Sequence, residues 1–219
     1  MSIAGEDIAG IAIRSIVISG SATLLASLWS IPISYIIAIR GVRKSIEAVI
    51  EAMVGMPTVL LGLLLYYLFT SSGPLGFLGL LYTPIAIIIG EAILITPLLI
   101  AVIYRASRDI IVSRLELAIS LGASRIQTIS MLARETSSGV IAAIIMGFSR
   151  ALGELGIALM VGGNIKDYTR VMTTAIALDI IRGDFEKALA LGLILLLIIV
   201  SIMIAIKRLS DIKTIWGSY

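Results

Sequence analysis

From Ser15 to Ile39 the chain runs for 25 residues without a charged side chain. About 20 apolar helical residues cross a hydrocarbon core roughly 30 Å thick, so a run of this length reads as a tilted membrane span. Four further stretches are long and apolar enough to cross, although three of them carry ionisable residues: Ala48 to Phe69, Pro84 to Tyr104, Ser137 to Val161 and Ala188 to Ile206. Thr83 is placed as N-cap of the third, with Pro84 at its first helical position. With 59% hydrophobic residues, 14% charged and a mean hydropathy of +1.10, a soluble domain would lack polar surface, so lipid is the solvent. The expected architecture is an all-α integral membrane protein of about five transmembrane helices, one domain over residues 1–219.

Orientation follows from lysine and arginine, which accumulate in cytoplasmic loops. Arg40, Arg43, Lys44, the loop Arg105 to Arg134 and the tail from Lys207 hold eleven of the 17 basic residues. The opposite side holds five, Arg14, Lys166, Arg170, Arg182 and Lys187. The long loop and the C-terminus are therefore expected in the cytoplasm and the N-terminus outside. Glu6 and Asp7 precede a long apolar run with no small-residue cleavage pattern, which favours a retained span over a signal peptide. Ser71-Ser72-Gly73-Pro74 predicts a tight external turn. Between Asn164 and Lys187, the spacing of Val171, Ala175, Leu178 and Ile181 predicts a short helix lying against the bundle.

The loop from Arg105 to Arg134 is polar, rich in arginine and about thirty residues long. Within it, Gly122 can take the left-handed conformation that ends a helix, and Ala123-Ser124 can open the next. Glu116 to Ser124 is thus expected as a short helix held crosswise between two helical arms. The chain has no cysteine and no histidine, which removes thiol chemistry, zinc sites and histidine bases. It contains no GxxxxGK[ST] phosphate loop, so energy from ATP has to come from a partner. Its basicity sits at the ends of apolar runs rather than on one surface, which argues against nucleic acid.

Ionisable residues within spans point to function. Arg150 and Glu154 stand four apart on one helix face, either as an internal ion pair or as a cation offered to a passing anion and its positioning carboxylate. Glu91, flanked by Gly90 and Ala92, is expected to hydrogen-bond a neighbouring backbone or hydroxyl group, and a proton relay is the alternative. Glu51 is expected to snorkel at the cytoplasmic end of span two. Gly147, Ala151 and Gly153 form small-residue spacings that let helices approach closely, within the chain or between subunits. Pro32, Pro57 and Pro97 are expected to kink spans one, two and three. Span five is almost featureless and is expected to face lipid.

The Glu116–Ser124 region resembles the EAA loop of ABC-importer membrane subunits. Met56 to Gly76, Gly147 to Ile165 and Tyr168 to Leu197 are similar to the membrane subunit of tungstate-type ABC importers, and the resemblance extends over about residues 10 to 206. Molybdate and sulfate permeases share the loop and the Ala151-Leu-Gly-Glu154 element. Leu117 departs from the general EAA pattern, as does Arg134-Glu135, which resembles the tungstate branch. The resemblance implies a type I importer membrane-subunit (MetI-like) fold that couples through Glu116, Ala118, Gly122, Ala123 and Ser124. Its partners would be a cytoplasmic ABC ATPase homodimer, an extracytoplasmic tungstate-binding protein, a second copy of itself and the lipid bilayer of a prokaryotic cell membrane. Ser149, Arg150, Glu154, Asn164, Thr173 and Thr174 are the candidates for the translocation path, and no catalytic residue, metal or cofactor is expected. The competing readings are a molybdate or sulfate permease, a proton-coupled secondary anion transporter using Glu91 or Glu154, and an assembly factor that docks a partner but moves nothing.

Overall fold

The computed structural model describes residues 8–216, and those residues form helices joined by turns, without strands. Glu6 and Asp7 lie outside the described residues. The first helix, α1, spans Ile8–Arg40 and so begins about two turns before the charge-free run. Arg14 is accommodated because its Nη1 donates to the carbonyl of Arg170 at 2.8 Å. Pro32 leaves α1 unbroken. One face of α1 carries Ser15, Ser19, Thr23, Ser27, Ser30 and Ser34, all buried. The hydroxyls of Thr23 and Ser27 donate back to carbonyls four residues earlier, at 2.7 Å, which satisfies their donors inside the chain, whereas the buried Ser30 hydroxyl has no partner among the described residues. With Ala22 and Ala26 fully buried beside them, this face permits the close approach of a long neighbouring helix, α4.

Helix α4 runs from Pro84 to Ser120, 37 residues, and passes Tyr104, where the span was expected to end. The polarity of the sequence changes there, but its helical character does not. Pro97 also leaves α4 unbroken. Tyr104, Ala38, Ile111 and Leu132 share a small core, so the polar extension is packed rather than free.

Two expected spans are broken. In place of a continuous helix from Ala48 to Phe69 there are α2 (Lys44–Val54) and α3 (Thr58–Phe69), bent by 89° across Gly55-Met56-Pro57. Proline has no N–H to extend a helix through its own position, and Pro57 therefore serves as the N-cap of α3. After the long loop, α5 (Arg125–Glu135) turns by 58° into α6 (Ser137–Leu152). The expected span to Val161 stops at Leu152, and α7 (Gly156–Gly162) resumes beyond Gly153-Glu154-Leu155. Among the described residues, three helices are long and apolar enough to cross a membrane, and counting each bent pair as one span gives up to five.

The turn after α3 forms as expected: the N–H of Gly73 donates to Thr70 O at 2.8 Å and that of Leu75 to Leu68 O at 2.9 Å. A Cβ on Gly73 would stand 2.1 Å from Tyr67 O, a backbone atom that cannot step aside cheaply. Gly73→Ala is expected to lower stability by about 1–3 kcal/mol. The midpoint of unfolding in detergent checks this, and an unchanged midpoint would show that the turn opens freely.

The short helix expected after Asn164 is α8 (Met172–Ile181). Its buried face is Met172, Thr174, Ala175 and Asp179, while Ile181, which the spacing placed on that face, is 82% exposed. The N–H of Met172 donates to the hydroxyl of Ser15 at 2.8 Å, which fastens α8 to α1. The last helix, α9, spans Phe185–Trp216. Only 6% of its most apolar window is buried in the chain, in line with a lipid-facing span.

Candidate functional site

Two places combine the expected residues with special geometry: the turn between α4 and α5, and the break between α6 and α7. At the first, Gly122 has φ +73°, and the N–H of Ala123 reaches back to Ala118 O at 3.0 Å, closing the end of α4. Ser124 is the N-cap of α5: its hydroxyl accepts from the N–H of Gln127 at 3.4 Å, and its own N–H donates to Gln127 Oε1 at 2.9 Å. This reciprocal capping box fixes the entry of α5. The sequence carries its signal as Ser124-x-x-Gln127, a partner that the reading of the loop missed.

The separate crosswise helix expected over Glu116 to Ser124 does not form. Glu116 to Ser120 continues α4, because nothing breaks the helix before Gly122, and α5 is the piece that turns. Glu116 is exposed and Ala118 is buried. Around the turn, Leu121, Ile126 and Ile129 are 77%, 81% and 67% exposed. Three apolar side chains at a polar helical turn form a knob that sequence reading passed over, since each lay within an ordinary amphipathic pattern. The knob is held from behind. Tyr35 Oη lies 2.7 Å from Thr136 Oγ1 at the α5–α6 bend, and Arg114 Nε lies 4.0 Å from Glu135 Oε2.

At the second place, Arg150 Nη1 donates to Glu154 Oε2 at 2.7 Å. The arginine side chain is 37% exposed and the glutamate side chain 3%, so the cation is presented and the anion hidden. Glu154 lies beyond the end of α6, and its other oxygen accepts from the N–H of Ile157 at 3.2 Å, on the first turn of α7. Its backbone carbonyl accepts from the Thr173 hydroxyl at 2.8 Å, joining α8 to the same point. A carboxylate bonded to a helix-start N–H and to a guanidinium is well compensated in an apolar setting. Glu154 is thus the peg around which α6, α7 and α8 are arranged.

The remaining candidates fall in different places. Ser149 is half-buried beside Arg150, with its hydroxyl donating to Ile145 O at 3.0 Å. Asn164 stands at φ +52°, and its Oδ1 accepts from Arg170 Nε at 3.0 Å, so it belongs to the loop before α8 and not to the Arg150 group. Thr174 is fully buried, its hydroxyl spent on the N–H and the carbonyl of Val171. In this conformation it caps α8 from inside. Gly147 lies against α4, where a Cβ would meet Leu99 at 2.9 Å, so this small residue serves packing within the chain. A cavity of about 570 Å³ opens between α3 and α7 at the end away from the Gly122 turn, lined by Tyr66, Tyr82 and Met160 among others, and none of the path candidates borders it.

Glu91 is 2% exposed on α4, lies beside the Ser19 side chain, and has Arg150 and Glu154 as charged neighbours. Its Oε2 has no hydrogen-bond partner among the described residues. A hydroxyl neighbour of the expected kind is therefore at hand, and one oxygen is left over.

The sequence pattern of the family described as "Binding-protein-dependent transport system inner membrane component" matches residues 10–211. The chain is 37% identical to the tungstate uptake system permease protein TupB of Peptoclostridium acidaminophilum over 199 residues, 90% of this chain and 87% of that protein. It is 31% identical to a probable anion ABC transporter permease protein of Haloferax volcanii over 204 residues, 90% and 88% of the two chains. It is 36% identical to the tungstate uptake system permease protein TupB of Campylobacter jejuni over 156 residues, 71% and 65% of the two.

Proposed function

The chain belongs to the family of binding-protein-dependent transport system inner membrane components, and from that premise we propose that it is the membrane subunit of an ATP-driven tungstate importer. The likeness to a tungstate uptake permease across 90% of the chain carries this reading. Two copies would enclose the path in the cell membrane, with the N-terminus outside and the coupling turn and C-terminus in the cytoplasm. A separate ATPase would grip the knob of Leu121, Ile126 and Ile129. An extracytoplasmic binding protein would deliver the oxyanion to the opposite face.

Transport needs ATP binding to favour one access state over the other. The turn supplies a rigid handle, and the bends at Gly55–Pro57 and Gly153–Leu155 supply places where short helices can reorient without unfolding. A tetrahedral dianion asks for donors and mild positive potential without a trap. Arg150 presents such a charge, with Ser149 and Thr173 near it, while Glu154 keeps the guanidinium from holding the anion too tightly.

The test is ATP hydrolysis in proteoliposomes holding this chain, its ATPase and its binding protein, with tungstate, molybdate and sulfate compared. Stimulation by tungstate at the lowest concentration is expected. Stimulation by molybdate or sulfate at lower concentration reassigns the substrate, and no response to any of them sinks the importer reading.

Glu91 favours a second reading, proton-coupled transport, because a buried carboxyl with a spare oxygen can carry a proton across. Under the ATP-driven reading Glu91→Gln is expected to retain uptake, since the amide fills the same space. Neutralising a proton-relay carboxyl would instead cost on the order of a hundredfold or more. Uptake measured with ATP present and the proton gradient collapsed separates the two.

A further inference from the structure

Helix α2 buries none of its residues and packs on α4. What ties it there is a set of polar contacts from one face. The Tyr104 hydroxyl donates to Glu47 Oε1, and Arg108 Nη1 lies 3.5 Å from the same oxygen. One turn along α2, Glu51 Oε1 lies 2.5 Å from Arg105 Nη2. The Arg108 guanidinium also sits 5.7 Å from the centre of the Tyr104 ring. Glu47 and Glu51 are four apart on α2, and Tyr104 and Arg108 are four apart on α4, so two helix faces meet in register.

The placement of this contact matters more than its strength. Arg105 and Glu51 are 67% and 50% exposed, and an ion pair so open to solvent adds little to stability. Yet α4 continues as one helix from Arg105 to the coupling turn, a lever of roughly 20 Å. On the other side, α2 leads through the Gly55–Pro57 bend into α3. That helix touches α7 closely: a Cβ on Gly62 would meet Met160 at 3.1 Å, and one on Gly156 would meet Thr58 Oγ1 at 2.9 Å. Gly156 directly follows the Glu154 break. A continuous set of contacts therefore runs from the turn, along α4, across the ion pairs to α2, and through α3 to the polar site. Its one link made of exposed charges is the α2–α4 contact.

We propose that Glu47 and Glu51, held by Tyr104, Arg105 and Arg108, are positioning residues that transmit movement of the coupling turn to the broken helices at the path. The inference rests on the importer reading above. It assigns these residues no contact with substrate or with the ATPase.

The test uses the full chain with its ATPase and binding protein, reading ATPase co-purification, ATP hydrolysis and tungstate uptake together. Glu47→Gln with Glu51→Gln is expected to keep the ATPase bound and hydrolysing, while uptake per ATP falls about tenfold. Glu51→Arg alone is expected to lose uptake in the same way, and Glu51→Arg combined with Arg105→Glu to regain most of it; ATPase binding and hydrolysis that stay unchanged throughout separate lost transmission from a lost fold. Normal uptake per ATP in the double glutamine variant, or no rescue by the exchange, overturns the proposal. A second measurement leaves the clamp intact. Because the chain has no cysteine, spin labels at Ala48→Cys and Asp109→Cys report the α2–α4 distance directly. A distance that stays fixed between ATP-free and ATP-bound states supports the clamp, and one that changes overturns it. The unmodified complex run alongside keeps the two readings apart, since absence of tungstate-dependent uptake there is a failure of the importer assignment itself.

Discussion

Gly122→Asp is expected to leave the chain folded, release the ATPase and reduce uptake about a hundredfold or more, the scale of losing a central contact in an interface. The fold tolerates it for two reasons. A Cβ at this position meets nothing within 4 Å. The left-handed conformation costs an L-residue about 1–2 kcal/mol, and aspartate is among the residues that bear it best. Loss of function therefore has to come from outside the chain. Leu121, Ile126 and Ile129 project around the turn, and a new carboxylate beside them would lose its water when the knob enters a groove. Gly122→Asn, with similar backbone tolerance and no charge, is expected to keep more of the interaction. Co-purification of the ATPase and uptake, measured for both variants, check the argument. Full activity in the aspartate variant would mean that the turn is not the docking element.

The difference between what the sequence revealed and what it hid follows the range of the interactions. The end of α4 and the start of α5 depend on Gly122 and Ser124, whose effects act within four residues, and both positions were legible. The two breaks were not. Long apolar stretches flank both Gly55-Met56-Pro57 and Gly153-Glu154-Leu155, so a search in span-length windows joins pieces that the backbone separates. Pro32 and Pro97 lie inside intact helices while Pro57 starts one, which no count of prolines distinguishes. The Arg105–Arg134 stretch showed the opposite effect: its polarity suggested a loop, yet most of it is helix. Among the path candidates, Arg150 and Glu154 were legible as a pair, but the burial of Thr174 and the attachment of Asn164 to Arg170 depend on tertiary placement. Glu51 was read as a snorkelling side chain because its partner stands 54 residues away.

Arg150→Ala is expected to impair both the fold and transport, and separating the two effects decides what Arg150 does. Glu154 is 3% exposed, and removing the guanidinium leaves its charge with the Ile157 N–H alone. Stranding a buried charge costs about 3–5 kcal/mol, and the 37% exposure of Arg150 places this site toward the lower end. The single variant therefore says little about the path. In Arg150→Ala with Glu154→Gln the stranded charge is gone, while the amide oxygen can still accept from Ile157, so the unfolding midpoint is expected to recover. Uptake is not. A hydrogen bond to a charged group is worth about 1.5–3 kcal/mol, so an anion passing without the guanidinium would cross about ten to a hundred times more slowly. Arg150→Lys, which keeps charge but not the fork of donors, is expected to fall between the wild type and the double variant. If the double variant transports normally with its stability restored, the pair is a packing device, and the anion must find its donors elsewhere, with Ser149 and Thr173 the next residues to replace.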